Sequence, residues 1–233
     1  MAFVSDKAAS EGRDVSFLTD DSVHLRGTYW EPGAPGNISV LLLHDFQSDR
    51  TAWKPFIPAF RSRGWGIFAL DLRGHGESLR QDMRADALRP LERDLRASAH
   101  YPADVRAALA WVIRQAKTDP GRIGTIGVGL GADLSYAASA KGWGTASSVL
   151  IGLDEGRARE LSGQGGFSPR SCYLMYADSD ASASVSAPAF LNTTSFPKDA
   201  YVYANTTNTG IELYREKFPE IAARTIAWIE RTC

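Results

Sequence analysis

Three short stretches hold most of the side chains that could do chemistry. His44 and Asp45 end the apolar run Leu41-Leu42-Leu43. Asp71, Arg73, His75, Glu77 and Ser78 crowd together just after Leu70. Gly127-Val128-Gly129-Leu130-Gly131 joins an apolar run to a segment of helical character. A later acidic pair, Asp178 and Asp180, flanks Ser179. Imidazoles beside carboxylates are material for general acid–base work or for holding a metal. The four histidines, His24, His44, His75 and His100, all lie within the first 100 residues. Proton transfer in the C-terminal half must therefore proceed without imidazole. His44 and His75, with Asp45 and Asp71, lack the usual metal-ligand spacings. Arg73 and Glu77 read as turn-fixing partners, and neither metal nor cofactor is expected. Cys172 opens an apolar strand and reads as a buried, inert thiol, because no later histidine can activate it. Cys233, the last residue, is expected to be mobile.

The composition fits this picture. The chain has 233 residues, 26 Lys+Arg against 27 Asp+Glu, a net charge of −1 and 44% hydrophobic residues. That argues against disorder and coiled coil, and near-neutral charge gives no footprint for nucleic acid. Two cysteines cannot build a disulfide framework. No apolar stretch reaches the length of a membrane span. The first residues lack a signal-peptide pattern. A soluble, by default cytoplasmic, protein is expected, with a removed leader and the oligomeric state left open.

The elements that must position these residues alternate. Strands are expected at 15–18, 23–30, 38–43, 66–70, 123–128, 149–153, 173–176 and 200–203. Trp53, Phe56, Ile57 and Phe60 follow helical spacing, as do Val105, Ala108, Leu109, Val112 and Ile113. Helices are also expected at 130–140 and near the end, where Ala222, Ile226 and Ile229 recur. Residues 80–100 read as helix or loop. Trp30, Trp53 and Trp111 read as core, and Ser135, in the helix after the glycine stretch, as pointing away from any site or into packing. Strand–helix alternation predicts an α/β fold: a mostly parallel twisted sheet with helices on both faces and an antiparallel N-terminal edge. One domain over 14–233 is expected after an extension over 1–13. The 154–171 connection is too short for a lid domain.

Leu41–Phe46, the Asp71-x-Arg73-Gly74-His75-Gly76-x-Ser78 stretch and the 127–131 glycines, in that order and spacing, resemble the α/β-hydrolase family, in particular lidless dienelactone-hydrolase-like esterases. The resemblance covers about residues 14–232 and implies an α/β-hydrolase fold without a lid domain. In that family Gly-x-Ser-x-Gly is the nucleophile elbow, and the triad runs nucleophile, acid, base. Here Gly129 stands at the nucleophile position. The resemblance puts the acid at Asp180, with Asp178 as second choice. It puts the base at Thr209, where a histidine would precede Gly210. Having no histidine after residue 100 excludes a simple shift of register. The implied oxyanion donors are the backbone N–H groups of Phe46 and Leu130, and His44 and Asp45 line the pocket. An Asp45 carboxylate there would oppose a developing oxyanion unless it points away.

Three functional readings follow. The first is a catalytically impaired homologue with a vestigial pocket that binds a small molecule or serves as a scaffold for a protein partner. The second is an ester hydrolase with relocated groups, drawn from Asp45, Asp180, Ser179 and Thr209. The third is a structural or oligomer-interaction module. The 127–131 glycines do not match the dinucleotide fingerprint, which argues against a Rossmann enzyme.

Overall fold

A computed structural model describes residues 12–82 and 99–233. Among the described residues, nine strands form one sheet in the order β1-β2-β4-β3-β6-β7-β8-β9, with β5 beside β2. They are β1 (Arg13–Leu18), β2 (Val23–Trp30), β3 (Ser39–Leu43), β4 (Gly66–Asp71), β5 (Arg80–Gln81), β6 (Ile123–Val128), β7 (Ser147–Ile151), β8 (Arg170–Ala177) and β9 (Ser195–Tyr203). β2 pairs antiparallel with β1, β4 and β5, and the remaining pairings are parallel. The sheet is thus mostly parallel with an antiparallel N-terminal edge.

The central strands explain their own position. Every residue of β3, β4, β6 and β7 is buried, as sheets covered on both faces require. Side chains alternate between faces. Val40 and Leu42 pack with Trp53, Phe56, Phe60 and Ile229, whereas Leu41 and Leu43 pack with Val105, Leu109 and Leu134. Burying one such leucine contributes about 1.5–3 kcal/mol.

The helices are α1 (Ile57–Arg61), α2 (Tyr101–Ile113), α3 (Leu130–Lys141), α4 (Glu155–Ser162), α5 (Ala181–Thr193), α6 (Gly210–Glu216) and α7 (Glu220–Thr232). The helix expected across Trp53–Phe60 is instead a 3-10 turn, Arg50–Trp53, followed by α1. Pro58 in the first turn of α1 explains this, since it lacks an N–H and suits a helix start. β7 begins and ends two residues before the expected 149–153, and Gly152 follows it with φ +71. β8 and β9 run longer than 173–176 and 200–203. The start of β9 is exposed and carries Pro197, so no apolar alternation marks it. α4 and α5 have weak apolar stripes and go unmarked in the hydrophobic pattern; side-chain caps from Asp154 and Asp180 start them.

β5 begins the stretch read as helix or loop, and 83–98 lie outside the described residues. β1 starts at Arg13, inside the expected extension, of which 1–11 are not described. Cys233 is anchored rather than mobile. Its carbonyl accepts from Arg122 Nε at 3.0 Å and its side chain packs against the core. Burial pushes the Cys172 thiol up to about 12, so it stays protonated near neutral pH. No helix among the described residues is long and apolar enough to cross a membrane.

Candidate active site at the carboxyl edge of the sheet

The glycine stretch makes a sharp strand-to-helix turn between β6 and α3. Gly129 has φ +53 and ψ −117, a conformation strained for any residue with a β-carbon. The flanking glycines permit close approach. A β-carbon at Gly127 would lie 2.0 Å from the Gly131 carbonyl oxygen, and one at Gly131 would lie 2.1 Å from that of Leu43. The turn at the family's elbow position is therefore present in full, with hydrogen in place of a side chain at its centre.

The neighbouring loop fills the space. Asp45 Oδ1 accepts hydrogen bonds from the backbone N–H of Phe46 at 2.7 Å and of Leu130 at 2.9 Å. These are the two groups the family resemblance marks as oxyanion donors. Leu130 is the first residue of α3, and a carboxylate is favoured at a helix N-terminus. A β-carbon built at Gly129 would lie 2.1 Å from Asp45 Oδ1 and 2.4 Å from Oδ2. The carboxylate thus takes the room that an elbow side chain would need. The sequence raised the conflict between Asp45 and an oxyanion, and the carboxylate points into the donors, not away.

His44 and His75 hold this loop from beneath. His44 is 1% exposed. Its Nε2 accepts from the Leu72 N–H at 3.1 Å, so the proton sits on Nδ1 and is donated to the Asp45 carbonyl at 2.7 Å. Burial drives its pKa down to about 4, and the ring stays neutral. His75 Nε2 accepts from the Gln47 N–H at 3.2 Å, and its Nδ1 faces the Arg73 carbonyl at 3.0 Å. Burial lowers its pKa as well. Both imidazoles are backbone fasteners. No group of three or more potential metal ligands comes together among the described residues.

The Asp71–Ser78 turn supplies the rest of the support. Asp71 is fully buried and accepts from the N–H groups of Arg50 at 2.7 Å and Glu77 at 2.9 Å, and from the Arg50 guanidinium. Burial raises its pKa against those hydrogen bonds. Arg73 binds the fully buried Asp104 through its own N–H and side chain, both at 2.8 Å, and Asp21 at 2.6 Å. Burial lifts Asp104 to about 6, while the Arg73 hydrogen bond draws Asp21 down to about 2. Asp104 and Asp133, the latter buried against Arg157, were missed as structural ions. Helical spacing gives no sign of either partner.

The acid and base positions follow β8 and β9. Asp180 caps α5, accepting from the Ala183 N–H at 3.0 Å. A β-carbon built at Gly152 would lie 3.1 Å from Asp180 Oδ2 and 3.8 Å from the Gly210 nitrogen. Asp180 is thus brought beside the residue that follows Thr209. One built at Gly210 would lie 3.3 Å from Asp45 Oδ2. Asp45, Gly129, Asp180 and Gly210 therefore share one corner of the sheet edge. Thr209 is exposed at the start of α6, and its side chain makes no capping bond. Asp178 and Ser179 are exposed. Asp178 Oδ2 accepts from the Asn205 N–H at 3.4 Å, at a loop rather than at this corner.

Comparison with known proteins agrees with this architecture. The model of the α/β-hydrolase family matches residues 40–226. Among solved structures, an esterase of Pyrococcus furiosus superimposes with a TM-score of 0.73 at 17% identity, over 100% of this chain and 97% of that one. An acetyl xylan esterase from Paenibacillus gives 0.71 at 17% identity, covering 99% and 87%. A dienelactone hydrolase from Anabaena variabilis gives 0.64 at 15% identity, covering 94% and 96%. Two curated sequences, both of uncharacterized proteins from strains of Mycobacterium tuberculosis, are 32% identical over 122 residues. That match takes in 52% of this chain and spans 38% of the relatives' length. The chain belongs to the α/β-hydrolase family.

Proposed function

We propose that this chain is a catalytically impaired α/β-hydrolase homologue, a single domain over 14–233 whose former active site is held shut by its own Asp45. One observation carries the reading: Asp45 Oδ1 accepts from both Phe46 and Leu130, where a substrate oxyanion would otherwise sit. Gly129 offers no nucleophile and Thr209 no base near neutral pH. A triad enzyme stripped of its triad retains about 10³–10⁴-fold acceleration over water through its oxyanion hole and binding alone. Here a negative charge stands at that hole, so even this remainder is opposed.

The relocated-enzyme reading has less support. Asp180 is engaged as a helix cap and Asp45 by two backbone donors. Neither is placed as a free general base. With the old site self-occupied, the role of inert scaffold for a protein partner fits better than small-ligand binding there. The interaction-module reading is separate from the old site and requires an apolar patch elsewhere.

The constructive test is the triple variant Gly129→Ser, Thr209→His, Asp45→Gly. It removes the blocking carboxylate and supplies a nucleophile and a base beside Asp180. Hydrolysis of short-chain p-nitrophenyl esters above the wild-type level is the expected result. A well-folded but inert triple variant would count against these positional roles.

A further inference from the structure

The outward face of the N-terminal strands carries a charged cleft away from the elbow. Ser16 of β1 lies opposite Arg26 of β2, and His24 of β2 lies opposite Arg80 of β5. Directly opposed residues share a face, and so do residues two apart along a strand. The four side chains therefore form one grid. With Glu77 they line a cleft of about 250 Å3.

The charges in this cleft are unevenly matched. Glu77 is bound by the Arg50 guanidinium at 2.6 Å, and His24 Nε2 is held by Asp82 at 2.7 Å. Among the described residues, Arg26 and Arg80 have no ion-pair partner for their side chains. Arg26 and Arg80 stand diagonally across the β2–β5 pair, and Asp71, opposite Arg26 on β4, is engaged by the Arg50 guanidinium. A guanidinium offers five donors in a planar fork that matches a tetrahedral oxyanion bidentately. The cleft lies below the range of about 300–1,000 Å3 usual for drug-sized ligands, which suits a small anion.

We propose that this cleft binds a small soluble oxyanion of the phosphate class, held by Arg26 and Arg80 with the Ser16 hydroxyl as a further donor. The proposal is independent of the elbow's chemistry.

Titration of the full chain with inorganic phosphate at constant ionic strength, followed by calorimetry, tests it. Saturable one-site binding is expected. Arg26→Ala and Arg80→Ala should each weaken it about tenfold, the weight of one charge-assisted hydrogen bond. Both arginines are exposed, so unchanged melting temperatures should accompany these losses. Glu77→Gln should tighten binding by removing a like charge. Absence of saturable binding, or a double arginine variant that binds like wild type, would overturn the proposal. So would binding to phosphatidate-containing vesicles without binding of free phosphate, since the ligand would then be a surface.

Discussion

Two loops stand side by side at the carboxyl edge of the sheet, and their polar groups serve different ends. In the Asp71–Ser78 turn, Asp71, Arg73, His75 and Ser78 all bond inward, to the backbone or to buried charges. In the elbow and its neighbour, the polar group is the Asp45 carboxylate, turned onto the Phe46 and Leu130 N–H groups that the proposed reading assigns as oxyanion donors. The first loop carries the stretch that resembles the family, and in the proposed reading the second departs from the family at Asp45 and Gly129. In that reading, residues that hold the backbone are separable from residues that would do the chemistry.

The sharpest way to break the comparison is to attack the supporting turn. Asp71→Ala removes a fully buried carboxylate and leaves two N–H donors and one edge of the Arg50 guanidinium without their partner. Losing one partner of a buried pair costs about 3–5 kcal/mol. Urea unfolding should show that loss, and a change below about 1 kcal/mol would deny the turn its structural role.

Next is the pH dependence of the same support. The folded pKa of His44 is about 4, below the ordinary 6.5. The folded chain therefore binds fewer protons between those values. His44's contribution is present above pH 6.5 and lost as pH falls through 4. Its full size is about 3 kcal/mol by linkage. Asp104, lifted to about 6, acts in the opposite sense, its contribution fading as pH rises through 6. The comparison must therefore be wild type against His44→Asn: without the rising His44 contribution, the variant's unfolding free energy should rise less, or fall more, with pH over that window than that of wild type. Equal slopes would show that His44 is not the buried neutral ring described.

The elbow can be sharpened by a double-mutant cycle. Gly129→Ser alone drives a β-carbon into Asp45 and forces a strained φ, and should destabilise by about 1–3 kcal/mol. Asp45→Gly leaves two donors to water. Together they should couple favourably by at least about 1 kcal/mol, because each relieves the other's conflict. Additivity would mean that the carboxylate does not occupy the elbow space. The smallest effect belongs to Asp180→Ala, which should lose about 1 kcal/mol as an N-cap, read from the melting temperature.

Much of the fold was legible because its signals are local. Continuous apolar runs mark β3, β4 and β6, and glycines mark the elbow. β9 was only half visible, since an edge strand beginning Ser195-Phe196-Pro197 carries no alternation. α5 was invisible because small residues bury without a stripe. At the site, the glycine spacing marks the sharp turn at Gly129, and the flanking apolar runs mark the strands that carry Phe46 and Leu130 to it. The direction of the Asp45 side chain is not marked, because a rotamer is fixed by tertiary donors that no local pattern encodes. Asp104 and Asp133 escaped for the same reason.

The most direct measurement is the rate at which the wild-type chain hydrolyses p-nitrophenyl acetate. A rate indistinguishable from buffer is expected of a site closed by Asp45 and lacking a nucleophile and base. Saturable turnover that survives Gly129→Ala would contradict it.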